Sequence, residues 1–429
     1  MALLALTDLA ASAAPESVSF ENGRAADPIE PLLTEALSHN TEINSARADS
    51  DAAQQRIAPA GSFADPMLEA GAVNVPLPAS FRREDMTMKM LGLSQKFPFP
   101  GKRTLRRDVA RAEAASIGYA VSETVDRVLR DLRVAYENLR LIHTSQRLVS
   151  ETLHTVNQLV SMAESRYAVG QAPQSDPLEA QIEVVRLQQE QLRLNQEQAA
   201  EQSELRRLLG RHGDNSSIEP TSAILLALPA TPAALEETSQ NDRPQIKALA
   251  ALMGKSDQAL ALARREFYPD FEVRLGYGQR EPTLAGMPRD DMVTLTVAVN
   301  LPIWRKSRLA PQVAEARAMQ REASSMTETQ RLETRALLEQ QLAVEREQRA
   351  SVSLYRSTLE FQAHAAFDSA LAAYRVGRVD FKTLLDARIG LYDIALGEAV
   401  AIATHNKAIE EIDLLTGRTF AGSSVENEP

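Results

Sequence analysis

Apolar positions change period along this chain, and they change it in the same order twice. Between Pro31 and about Ile57, Leu32, Leu33, Ala36, Leu37, Ile43 and Ala46 recur at helical spacing and predict one helix. Pro66–Val75 and Met86–Phe97 follow as strand candidates, split by a Pro/Ser/Arg-rich loop at 76–84. From Val121 the spacing becomes 4-3-4-3, through Val125, Val128, Leu132, Ala135, Leu139, Ile142, Gln146, Val149, Leu153, Val156 and Val160. A sustained seven-residue repeat of this kind makes a left-handed coiled-coil seam. A helix from Leu105 to about Tyr167 would be roughly 95 Å long, at ~1.5 Å per residue. Leu178–Leu209 is the expected antiparallel return.

The second half repeats the order. Phe271–Tyr277 and Met292–Val297 alternate apolar and polar, Leu309 to about Tyr374 reads as the long helix, and Leu384–Leu415 returns. The halves align at an offset of about 203–207 residues, far above solenoid periods, so a domain-sized unit is duplicated. Asn40 faces Arg243, Asp65-Pro66 faces Tyr268-Pro269, and Pro98 faces Pro302. Tyr167, Val169 and Gly170 face Tyr374, Val376 and Gly377; Gly210 faces Gly417. Each unit contains one hairpin, and two strands alone are not stable in isolation. The hairpins must therefore complete a sheet with each other or with other chains.

The strand-to-helix switch is the most distinctive local feature. In Gln95-Lys96-Phe97-Pro98-Phe99-Pro100-Gly101-Lys102-Arg103 the two prolines forbid helix upstream, and Gly101 permits a tight turn. Pro302 marks the same switch in the second unit. Gly101-Lys102 superficially suggests a phosphate loop, but Lys96 stands where its first glycine should be and Arg103 replaces Ser/Thr.

Composition narrows the class. The chain has 429 residues, 5% of them aromatic, with a formal net charge of −11 and no cysteine. Ala, Leu, Gln, Glu and Arg dominate, as in long helices. The absence of cysteine excludes disulfides and thiolate chemistry. An acidic chain with scattered arginines does not read as a nucleic-acid binder. No run of ~18 apolar residues predicts a membrane helix, although alternating membrane strands escape such a test. Residues 1–27 read as a signal remnant or disordered N-terminal tail, with an apolar run before Ala11-Ser12-Ala13-Ala14 but no basic residue before Arg24. The expected organisation continues with unit 1 at 28–215 (hairpin about 66–97, helices about 104–209) and a linker at 216–233. Unit 2 then covers 234–420 (hairpin about 269–303, helices about 308–415), before a disordered tail at 421–429.

The duplicated helix–hairpin–long helix–helix unit, the switch beginning Leu93-Ser94-Gln95 and the Tyr-x-Val-Gly turns together resemble the TolC-type outer-membrane efflux proteins. The form of the switch is most similar to the heavy-metal efflux branch, with its CzcC-like and CusC-like members. The resemblance implies a mainly α fold with a membrane β-barrel portion. Three chains would form one 12-stranded β-barrel in outer-membrane lipid and an α-helical barrel across the periplasm. Its implied partners are two further copies, a periplasmic adaptor protein and an inner-membrane pump of the resistance-nodulation-division type. It implies no enzyme activity, no catalytic residue, no cofactor and no resident metal. It also implies that the turns carrying Arg166, Tyr167, Val169, Gly170, Tyr374, Val376 and Gly377 dock the adaptor. Asp176, Glu179 and Asp386 would ring the lumen entrance with carboxylates; Thr383 stands where the family has another acid.

Each of these residues also has a plainer role. Tyr-x-Val-Gly is an ordinary helix C-cap, and an acid early in a helix is favoured by the macrodipole. Met86, Met88 and Met90 share a strand face and could hold a soft metal, but methionine is more commonly a gap-filler. None of the six histidines forms a metal-binding spacing. Tyr277 and Trp304 suit an aromatic girdle at a membrane interface. Two other readings use the same residues: a type I protein secretion duct, and a coiled-coil structural or adaptor protein without a pore. The alternating hairpins count against the second.

Overall fold

The computed structural model describes residues 29–213, 216–222 and 224–418; both predicted tails lie outside the described residues. The chain begins with α1 (Ile29–His39) and α2 (Thr41–Ala60), followed by β1 (Met67–Val73) and β2 (Met88–Phe97). The long helices α3 (Lys102–Ala168) and α4 (Ser175–Leu209) complete the first unit. The second unit repeats this as α5 (Pro232–Asn241), α6 (Pro244–Arg265), β3 (Phe271–Gln279) and β4 (Met292–Val299). It ends with α7 (Ala310–Leu354), α8 (Glu360–Arg375) and α9 (Phe381–Thr416).

The heptad seam is buried along α3, from Val125 and Val128 through Leu139 to Val149 and Val156. Gln146, its one polar position, donates to Asn195 Oδ1 at 3.0 Å and Gln198 Oε1 at 2.9 Å on α4. The seam therefore stays satisfied across the helix pair.

Two expectations need correction. The single helix over 31–57 is two helices, broken at Asn40. The buried Asn40 side chain accepts from the amides of Glu42 (2.9 Å) and Ile43 (3.0 Å) and donates to Leu208 O at 2.7 Å. That makes it an N-cap and a tie to α4 together. The helix over 309–374 is interrupted by a π-helical turn at Tyr355–Leu359, and another, Arg305–Leu309, precedes α7. The linker between the units is held to the helices on both sides. Ile218 exchanges hydrogen bonds with Gln202, while Asn406 accepts from Leu226 N and donates to Ile224 O.

The two hairpins combine into one antiparallel sheet in the order β1-β2-β3-β4. Phe97 opposes Phe271, so the end of the first switch meets the start of the second hairpin. The register also corrects the repeat alignment. Met67 opposes Ser94, and Glu272 opposes Ala298, the residue that corresponds to Ser94 when Pro98 is set on Pro302. Met67 therefore matches Glu272, and Asp65 matches Asp270 rather than Tyr268. A slip of two residues keeps every side chain on its face, which is why the sequence pattern tolerates it.

Candidate functional site

The sheet has two chemically different faces. One carries Leu68, Ala70, Leu91, Leu93, Phe97, Phe271, Val273, Leu275, Tyr277 and Val293, Leu295, Val297 and Val299, and most of these large side chains are exposed. The other carries Glu69, Ser94, Lys96, Glu272, Arg274, Thr294 and Thr296. An exposed apolar face of this extent marks contact with lipid or protein. Met88 and Met90 lie on the polar face and fill the space left by Gly276 and Gly278. That arrangement matches the gap-filling role. Met86 lies before β2 and is exposed.

The first switch is a knot between the two units. Lys102 is only 1% exposed, and its ammonium meets Glu266 and Asp270 at 2.9 Å each and donates to Tyr268 O at 2.9 Å. Asp270 also accepts from Phe99 N at 2.8 Å, while the Phe99 ring stacks on Tyr268 with centroids 4.6 Å apart. Gly101 has φ +94°, and a Cβ there would come within 2.8 Å of Arg265. Gln95 fastens the strand end to the α2–β1 loop by donating to Ala64 O at 2.8 Å. Pro98 and Pro100 bracket Phe99 and hold it at this junction. With its lysine surrounded by protein acceptors, the turn has no phosphate-loop geometry. The second switch is bare by comparison: Pro302 is half-buried, and Trp304 is 67% exposed.

The two far turns have matching caps. Gly170 N donates to Tyr167 O and Gln171 N to Arg166 O; Gly377 N donates to Tyr374 O and Arg378 N to Ala373 O. Both glycines are left-handed, at φ +71° and +69°. The turns are then joined asymmetrically. Arg166 donates to Tyr374 O and lies 4.7 Å from the centre of the Tyr374 ring, which packs edge-on against Phe381. Tyr374 is thus buried, whereas its counterpart Tyr167 and both Val169 and Val376 are exposed. Five of the seven predicted tip residues are exposed on the turns; Arg166 and Tyr374 instead form a bolt between them.

The predicted acids lie near the same two turns and act electrostatically across them. Burial pushes the Asp176 carboxyl above its usual range, and the nearby Asp380 charge adds to this. Asp380 is held low by its hydrogen bonds with Thr383, whose amide it caps at 2.8 Å. Asp386 is exposed but paired with Lys382 at 3.1 Å, and this pairing raises the lysine; Glu179, also exposed, acts on the same ammonium. The sequence reading missed Asp380 and Lys382. An Asp immediately before Phe381-Lys382-Thr383 is an N-cap pattern that could have found the first. Among the described residues, no group of three His, Asp or Glu could hold a metal ion. Nor is any described helix long and apolar enough to cross a membrane.

Comparison with known proteins agrees with this architecture. The family model described as outer membrane efflux protein matches residues 32–211 and 235–417. The chain is 24% identical over 330 residues to the cobalt-zinc-cadmium resistance protein CzcC of Cupriavidus metallidurans, covering 74% of each. The outer membrane protein VceC of Vibrio cholerae superimposes with a TM-score of 0.78 at 21% identity, over 91% of this chain and 96% of that one. CusC gives 0.75 at 17%, over 91% of both chains. The CmeC outer membrane channel of Campylobacter jejuni gives 0.77 at 13%, over 96% and 94%. The solved structures share the fold, and the family match spans both units. The chain thus belongs to the outer membrane efflux protein family, non-enzymatic ducts of the outer membrane that extend into the periplasm.

Proposed function

We propose that this protein is the exit duct of a tripartite system that expels heavy-metal cations. The carrying observation is the four-stranded sheet, apolar on one face and polar on the other, with both edges open and continuous with the long helices. Such a sheet meets the needs of a bilayer only after closure with other copies, because closure alone removes the edges. Three copies give the 12-stranded barrel of this reading, with the apolar face toward lipid and the polar face toward the lumen. The α-helical barrel carries the passage on toward a periplasmic adaptor and an inner-membrane pump of the resistance-nodulation-division type.

The exposed turns at Tyr167, Val169, Gly170, Val376 and Gly377 are the docking surface in this reading, with Arg166 and Tyr374 holding the pair in register. Asp176, Glu179 and Asp386, joined by Asp380, form the carboxylates of the entrance, where repeated acids favour cations. The heavy-metal assignment is supported by the relationship to CzcC, a cobalt-zinc-cadmium resistance protein. Deleting the protein and measuring growth against cobalt, zinc, cadmium and copper beside a drug panel tests it. Selective loss of metal tolerance is expected. Unchanged metal tolerance with lost drug tolerance would overturn the substrate assignment and leave the duct.

A further inference from the structure

The chain contains an image of a contact whose second instance it cannot make alone. In the first instance Lys102, just after a strand-to-helix switch, is buried against Glu266, Asp270 and the Tyr268 carbonyl, just before the next strand. Phe99 lies against Tyr268 at the same place. The repeat and the sheet register give each participant a counterpart. Phe99 and Lys102 correspond to Ile303 and Lys306; Tyr268 and Asp270 correspond to Phe63 and Asp65.

All four counterparts are exposed, and they lie at opposite edges of the molecule. Ile303 and Lys306 follow the edge strand β4, whereas Phe63 and Asp65 precede the edge strand β1. Neither Lys306 nor Asp65 has an ion-pair partner among the described residues. The neighbouring Arg305 and Arg308 have none either, so this switch presents an uncompensated basic patch. The helices repeat the pattern. α3 packs between α2 and α6, while α7 packs on α6 without a counterpart of α2 on its other flank.

We propose that the second switch is completed by another copy of this chain, with Lys306 seated on Asp65 and the Phe63 carbonyl of its neighbour, and Ile303 against the neighbour's Phe63. The inference rests on the oligomeric duct reading and gives it a residue-level register. Transferring the Phe97–Phe271 pairing to the open edges sets Leu301 opposite the neighbour's Pro66, and Val299 opposite its Leu68. The occupant is a second copy because the required surface exists on this chain, in the right order and with the opposite charge. The contact is head to tail, so it repeats from copy to copy around the ring of the duct reading rather than pairing two copies across a two-fold axis.

The cysteine-free chain makes the test direct. Asp65→Cys/Lys306→Cys protein, purified in detergent and treated with a short bismaleimide, should give covalent trimers on a denaturing gel. Each single variant should stay monomeric on the same gel. Independently, Lys306→Glu should lower the trimer fraction in native mass spectrometry by about threefold or more, and adding Asp65→Lys should restore it, as expected for a directly coupled pair. Native trimers that neither cross-link through this pair nor respond to the charge reversal would overturn the register and leave the duct reading intact. A wild-type protein that stays monomeric in native mass spectrometry would overturn both.

Discussion

Asp126 on α3 is the buried group with the clearest physical consequence. It is 1% exposed, and its Oδ1 has no hydrogen-bond partner. Burial, helped by the Glu123 charge and opposed by Arg133 and Arg243, pushes its carboxyl from 3.8 to about 7. A raised folded-state value means the fold disfavours the ionised form. No penalty exists below the unfolded value; it grows as pH rises through the window and is complete above the folded value. At ~1.4 kcal/mol per pH unit the full effect is about 4 kcal/mol per chain, of which about 3 falls between pH 4.5 and 8. Asp126→Asn cannot ionise, so its stability should lack this fall. For 429 residues, with an unfolding entropy of ~2.1 cal/mol/K per residue, the two pH profiles of Tm should differ in span by about 3–4 °C. Circular dichroism at 222 nm, at fixed protein and detergent concentration, measures both profiles. Comparing spans rather than absolute values removes whatever the amide costs in that site. Parallel profiles would show that Asp126 is ionised at no penalty and refute the reasoning.

Other perturbations separate the roles of single residues. Lys102→Met takes the buried ammonium from Asp270 and leaves Glu266, a partly exposed carboxylate like Asp270, with Arg106 alone; a loss of about 1–3 kcal/mol is expected, and an unchanged urea midpoint would contradict the knot. Gly210→Ala combines a left-handed φ of +71° with collision against the His39 carbonyl, whereas Gly170→Ala has the same φ in open space. The second should cost about 1–2 kcal/mol and the first clearly more; equal Tm losses would mean the α4 end does not pack on the α1–α2 break. In planar bilayers under a salt gradient, Asp386→Asn should lower cation preference and Lys382→Gln should raise it. Shifts of the reversal potential in the same direction would remove this pair from the passage.

What could be read from the sequence was set by how local its cause was. The α3 seam, the alternating strands and the turn glycines follow from spacing and backbone preference, and they occur where the pattern puts them. Asn40 misled because an isolated polar residue within a helical pattern gives no sign that it will be buried against Leu208, far away in the chain. The fastening of the linker was hidden for a related reason. Its composition says loop, but its order comes from Gln202, His405 and Asn406 on distant helices, with His405 Nε2 at 2.9 Å from Leu226 O. At the turns, the equivalence of Tyr167 and Tyr374 was legible, and their divergence was not. Arg166 can cover only one of them, and it crosses to the other unit to do so.

The asymmetry between the two switches has a mechanical consequence. The first is closed within the chain by a buried lysine between two partly exposed carboxylates, and without them the lysine would be a buried charge unpaired. It ties the first switch to the start of the second hairpin within one chain. The second switch has its charges in water, where an unpaired lysine or aspartate costs little, so a lone chain can fold with it open. The β1 and β4 edges differ in this respect. In water their amides and carbonyls are solvated, but in hydrocarbon each unpaired group costs several kcal/mol. A single copy can therefore assemble its sheet and helices outside the bilayer yet cannot rest inside it. If copies close the sheet as proposed, closure of the ring and entry into the membrane are energetically coupled.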